Sequence, residues 1–138
     1  MADMLKISEA ASMGMHAMVL LAAKPERRLT AGEIAGELHV SGAHLSKVLQ
    51  RLAKARLVAS TRGPKGGFAL AKDGRRVTLL DVYEAVEGPL GRSECLLGLP
   101  RCNAKRCIMG DVVGAVTTRV REYLAKTRLS TLNDVFGS

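Results

Sequence analysis

The stretch SGAHLSKVLQRLAKARLVASTRGPKGGFAL, residues 41–70, decides how this chain reads. Within it Leu45, Val48, Leu49 and Leu52 fall at i, i+3, i+4 and i+7, which is one buried stripe of an α-helix. Ser41 stands before that run with the short hydroxyl side chain that closes off free N–H groups, so the spacing predicts a capped helix over 42–55. Its other face carries His44, Lys47, Gln50, Arg51 and Lys54. Two short strands follow, over 57–60 and 67–71, around the turn Thr61-Arg62-Gly63-Pro64-Lys65-Gly66. Upstream, Thr30 and Glu33 form a capping box for a helix over 30–38, with Ile34, Ala35 and Leu38 facing inward and a tight turn at His39-Val40. Two short helices, a tight turn and then a two-stranded hairpin describe a winged helix-turn-helix.

The flanks are also helical. Ser8 can cap a helix over 8–23 that is apolar nearly all round, and such a helix is buried on several sides, here by the core and a second subunit. Thr78 starts a helix over 78–87 with Leu79, Val82, Tyr83 and Val86 inward, and Gly88-Pro89 stops it. From 90 to 106 periodicity is lost, and the segment reads as an ordered loop. A long helix over 110–126 carries the stripe Val112, Val113, Val116, Val120, Tyr123 and Leu124, and a short helical tail lies within 130–136. The fold class is mainly α, with a winged-helix unit over 1–88, a cysteine-bearing loop over 89–109, and a helix and tail over 110–138. Aromatic residues make up only 3% of the chain and Trp is absent, so the core is built from aliphatic side chains.

Charge is confined. Residues 42–76 hold nine Lys or Arg and one acid, Asp73, whereas the rest of the chain has twelve basic and twelve acidic residues. The whole net charge of +8 therefore sits in one quarter of the sequence, which is the footprint of a polyanion site. In a winged helix the second helix enters the major groove of double-stranded DNA. Ala43, His44, Ser46 and Lys47 are the candidates for base edges, and Ser41, Gln50 and Arg51 lie within reach of the backbone. Arg62 and Lys65 on the wing suit the adjacent minor groove or its phosphates.

Cys95, Cys102 and Cys107 are separated by six and four residues. No CxxC pair exists, which disfavours a zinc ribbon or a redox dithiol. Three thiols on one irregular loop can converge on an iron–sulfur or zinc centre, or they can be unrelated. The apolar run 10–23 contains Ser12 and His16 and is too short to span a bilayer, so a cytoplasmic chain with reduced thiols and no membrane partner is expected. His16, His39 and His44 have no nucleophile or acid arranged around them in a motif, and no phosphate-binding glycine loop leads into a helix, so an enzyme is not expected.

Leu45-Ser-Lys-Val-Leu-Gln-Arg-Leu, Leu57-Val58, Arg62-Gly-Pro-Lys-Gly-Gly-Phe and the three cysteines together resemble the iron–sulfur-cluster and nitric-oxide-responsive winged-helix regulators of bacteria, the group typified by IscR and NsrR. The resemblance spans residues 7–132. It implies a homodimeric transcription factor on a DNA operator, with the helix over 110–126 crossing the dimer interface. It also implies an iron–sulfur cluster of two or four irons whose state, set by redox, nitric oxide or iron–sulfur supply, controls DNA affinity. Cys95, Cys102 and Cys107 would be its ligands. The six-and-four spacing departs from the family's five and five, and Gly110 stands where one relative has a histidine ligand. The fourth ligand is then open among Asp111 and, from the first helix of the other subunit, Ser12 or His16, with His16 preferred. A thiol or zinc switch on the same DNA-binding head is the alternative.

Overall fold

Four hydroxyl side chains start four helices. In the computed structural model, which describes residues 7–91, 96 and 106–136, Ser8 Oγ accepts from the Ala11 N–H at 3.0 Å and begins α1 (Glu9–Ala23). Thr30 Oγ1 accepts from Glu33 N–H at 3.1 Å, and the Glu33 carboxylate accepts from Thr30 N–H at 3.1 Å, closing the capping box of α2 (Ala31–Leu38). Ser41 Oγ accepts from His44 N–H at 3.3 Å at the start of α3 (Gly42–Lys54). Thr78 and Asp81 repeat the box at 3.1 and 3.0 Å for α4 (Leu79–Glu87). Each such cap is worth about 1 kcal/mol. The long helix is α5 (Val112–Lys126), followed by a 3-10 turn, Leu129–Leu132.

The core gathers around α1. Ala11, Gly14 and all of 17–22 are buried there, enclosed by α2, α3, α4, the wing and the Leu129–Leu132 turn. The chain's own Leu129–Leu132 turn packs on α1 as well. At Gly14 an added Cβ would stand 3.0 Å from Val86 Cγ2 and 3.4 Å from Val48 Cγ1. The absence of a side chain there sets how closely α1 lies on α3 and α4. The buried set, including Met18, Leu20, Leu21, Ile34, Leu45, Leu49, Leu52, Val82 and Leu129, is aliphatic throughout.

The wing is the antiparallel pair β1 (Val58–Thr61) and β2 (Gly67–Leu70), in the register Val58 to Leu70 and Thr61 to Gly67. A third strand one residue long joins it. Leu29 N–H donates to Phe68 O at 3.0 Å and Phe68 N–H returns to Leu29 O at 2.7 Å. Both glycines of the Gly66-Gly67 pair are required by this arrangement. A Cβ on Gly66 would fall 2.1 Å from Thr61 O, and one on Gly67, at φ +140°, would fall 2.8 Å from Leu29 O. Neither Leu29's strand nor the 3-10 turn Gly74–Arg76 was expected, because single-residue pairing and a lone turn leave no periodicity to read.

The apolar stripe of α5 is only partly used. Leu124 alone is buried, next to Leu129 in the core, while Val112, Val116 and Tyr123 remain about half exposed, at 50%, 49% and 50%. The end of α5 is sewn to α4 by Leu79 N–H to Thr127 O at 2.9 Å and Leu129 N–H to Val77 O at 3.0 Å.

After α3 the chain turns through Arg56 at φ +63°, a left-handed conformation that a side chain disfavours. Arg56→Gly is expected to stabilise the fold by about 1 kcal/mol, read as a rise in the urea midpoint with an unchanged m-value.

Candidate nucleic-acid interface

With about 100° per residue, the buried stripe of α3 (Leu45, Val48, Leu49, Leu52) stands opposite Ala43, Lys47 and Gln50, all exposed. Lys54 continues the same line. Sequence reading places it on this face without counting it in the site. His44 and Arg51 lie to one side, where with Lys47 they meet Glu9, Ala10 and Met13 of α1 across a shallow cleft of about 230 Å³. Ser46 is half-buried on the other flank. Ser41 is exposed, with its hydroxyl oxygen engaged by the helix cap. Arg51 differs from its neighbours. One guanidinium N–H donates to Val86 O at 3.0 Å, so it braces α3 against the end of α4 and has only its remaining N–H groups to offer elsewhere.

Arg62 and Lys65 project from the wing turn, both exposed. Gly63 at φ +104° and the Gly66 N–H to Gly63 O bond of 2.9 Å close that turn. Arg28, from the α1–α2 connection, donates to Thr61 Oγ1 at the end of β1. Sequence reading missed this contact because the partners are 33 residues apart. Its one visible signal is the adjacent basic pair Arg27-Arg28.

Not every cation of the basic span is free. Arg75 grips Asp73, with Nη2 at 2.9 Å and Nε at 3.2 Å from the carboxylate, so the one acid in residues 42–76 cancels one of its cations locally.

The metal-ligand candidates divide. His16 is exposed on α1, with Nδ1 2.7 Å from the Ser12 carbonyl oxygen and 3.4 Å from Ser12 Oγ. A carbonyl can only accept, so it is Nδ1–H that donates to it. The imidazole stands edge-on to Phe136, with centroids 6.2 Å apart, on the rim of an apolar pocket of about 200 Å³ formed with Met15, Val19, Leu124, Leu132 and Val135. Cys107 is exposed, and its Sγ accepts from Met109 N–H at 3.4 Å. Cys95 and Cys102 lie outside the described residues. Among the described residues no three His, Cys, Asp or Glu side chains converge.

A winged helix with a confined basic face defines a DNA-binding protein of the helix-turn-helix class. The family profile described as iron-dependent transcriptional regulator, Rrf2, matches residues 7–134, and the chain belongs to the Rrf2 family of DNA-binding transcriptional regulators. It is 42% identical over 83 residues to the HTH-type transcriptional regulator BadM of Rhodopseudomonas palustris, a match covering 60% of this chain and 53% of that one, so the likeness spans about half of BadM. The solved structure of CymR, the global cysteine regulator of B. subtilis, superposes with a TM-score of 0.79 at 30% identity, covering 95% of this chain and 98% of CymR. IscR of T. potens superposes with a TM-score of 0.73 at 28% identity, covering 95% and 88%. These relatives are regulators rather than enzymes. No helix among the described residues is long and apolar enough to cross a membrane.

The Arg75 hydrogen bonds hold the Asp73 carboxyl down at about 2, below its ordinary 3.8. The contact's small stabilisation is present above about pH 4 and lost as pH falls through about 2. An NMR titration is expected to place the Asp73 midpoint there, and a midpoint near 3.8 would show that the pair does not persist in solution.

Proposed function

We propose that this chain is a homodimeric operator-binding regulator whose affinity is set by an iron–sulfur cluster held beside the dimer helix. The reading head is residues 1–88, the cluster loop 89–109, and the dimer helix with its tail 110–138. The DNA reading rests on the exposed line through Ala43, Lys47 and Gln50 with the wing tip beyond it. Ala43, His44, Ser46 and Lys47 approach base edges in the major groove. Ser41, Gln50 and the free side of Arg51 face phosphates, while Arg62 and Lys65 reach the neighbouring minor groove. The protein works in the cytoplasm.

Dimerisation is supported by the exposed seam of α5. A monomer gains nothing from Val112, Val116 and Tyr123 aligned on one helix face at half exposure, whereas an isologous pair buries them twice. Val116→Asp is expected to weaken dimerisation at least about tenfold, or about 1.4 kcal/mol, by sedimentation equilibrium, and to weaken operator binding with it.

The observation that carries the cluster reading is the His16 imidazole. Its Nδ1–H donates to a backbone carbonyl, and a hydrogen bond at one ring nitrogen is what orients a histidine to offer the other to a metal. The exposed Cys107 thiol, with an N–H already directed at its sulfur, is of the donor type that iron–sulfur clusters take. Cys95, Cys102 and Cys107 with His16 of the partner subunit would hold the group. When bound it supplies thiolate–iron bonds that redox change or nitric oxide can break. Held by it, His16 and Cys107 would restrain α1 and the start of α5, and release of that restraint would alter the setting of the two heads. A thiol or zinc switch on the same residues is the second reading, favoured by the likeness to CymR of Staphylococcus aureus, whose structure is known in an oxidized form.

Anaerobic purification is expected to yield a brown protein with near-equal iron and sulfide. His16→Ala should keep the fold but shift the visible spectrum and speed cluster loss. Colourless protein with zinc and no sulfide would establish the second reading instead.

A further inference from the structure

We infer that Arg28 is a DNA-phosphate contact, so that the nucleic-acid surface extends outside the basic span to the connection between α1 and α2. The inference rests on the reading head proposed above. Leu29 pairs with Phe68, which sets Arg28 beside Ala69 on the opposite face of the wing. Ala59 and Thr61 share that face by the register of β1 and β2. The small Ala59, Ala69 and Gly67 leave room for the arginine stem to cross the sheet, and its guanidinium ends on Thr61 Oγ1, one residue before Arg62.

That placement leaves most of the guanidinium open to a ligand. Arg28 is exposed and, among the described residues, has no carboxylate partner. The nearby Glu33 is engaged by Arg27 at 3.6 Å and by the Thr30 N–H. Thr61 offers only a neutral oxygen, and one hydrogen bond leaves four guanidinium N–H donors over. An uncompensated cation held beside Arg62 and Lys65 raises the local positive potential, which a polyanion relieves. The planar fork of Arg matches a phosphate in two-point contact. Thr61 is the positioning residue: it fixes the guanidinium at the tip end of the sheet, so the side chain is ordered before DNA arrives.

The test is the salt dependence of binding to one operator duplex, measured on the full chain as purified. Each phosphate contact contributes about 0.9 to the slope of log K against log salt. Arg28→Ala is expected to reduce the magnitude of the slope by about 0.9 and to weaken binding about three- to tenfold at low salt, with an unchanged thermal midpoint. Arg28→Lys should keep the slope. Thr61→Val should keep it as well and weaken binding less. Loss of affinity in Arg28→Ala at constant slope would overturn the inference and make Arg28 a brace for the wing. An unchanged slope there, with a reduced slope in Lys47→Ala, would overturn the Arg28 contact and leave the reading head standing. Unchanged slopes in both would remove the reading head and Arg28 together.

Discussion

The close approach of α1 to α3 and α4 at Gly14 is the constraint on which the rest of the chain depends. An added Cβ here would stand 3.0 Å from a Val86 methyl, so the packing side chains would have to give by a few tenths of an ångström. The hydrophobic effect then has one centre to fill, and α2, the wing and the C-terminal turn close over the same helix. Because the core is aliphatic and lacks buried polar side chains among the described residues, nothing in it fixes register by hydrogen bonding. Shape does that work, and Gly14 is the narrowest part of the shape.

The reading head is an outgrowth of that core. α3 spends one stripe on α1 and turns the opposite one outward, so core packing itself sets the angle at which Lys47 and Gln50 are shown. The wing is fixed differently. A hairpin of two four-residue strands has little stability alone, and the Leu29–Phe68 pair with two missing side chains at Gly66 and Gly67 ties it to the body of the protein. The Gly-Gly that follows Lys65 therefore serves both the turn and the attachment of the third strand.

Much of this was legible in the amino-acid order. Ser8, Thr30, Ser41 and Thr78 are read as caps because a cap is a local chemical act, completed within three residues. The stripe of α3 and the hairpin are legible for the same reason: their periods are short. What stayed hidden involves partners far apart. Arg51 looks like a surface cation until α4 presents the Val86 carbonyl 35 residues later, and Arg28 until β1 brings Thr61 beside it. The α5 stripe was readable as apolar, but its division between the buried Leu124 and the exposed Val116 depends on where α4 lies. At the candidate ligands the sequence offers residue types, whereas the hydrogen bond that orients the His16 ring follows only from the position of the Ser12 carbonyl.

The Arg51 contact has a counterpart on the other side of α4. Arg121 of α5 donates to Leu90 O at 2.8 Å, just past the helix end where Arg51 of α3 holds Val86 O at 3.0 Å. The Val86 carbonyl in the last turn of α4, which its own ladder leaves open, and the Leu90 carbonyl just beyond it are thus served by guanidinium groups from two other helices, with positive charge near the negative pole of its dipole. Fraying at this terminus costs bonds that belong to three helices at once. The end of a nine-residue helix, ordinarily the first place to open, is thereby tied to both α3 and α5.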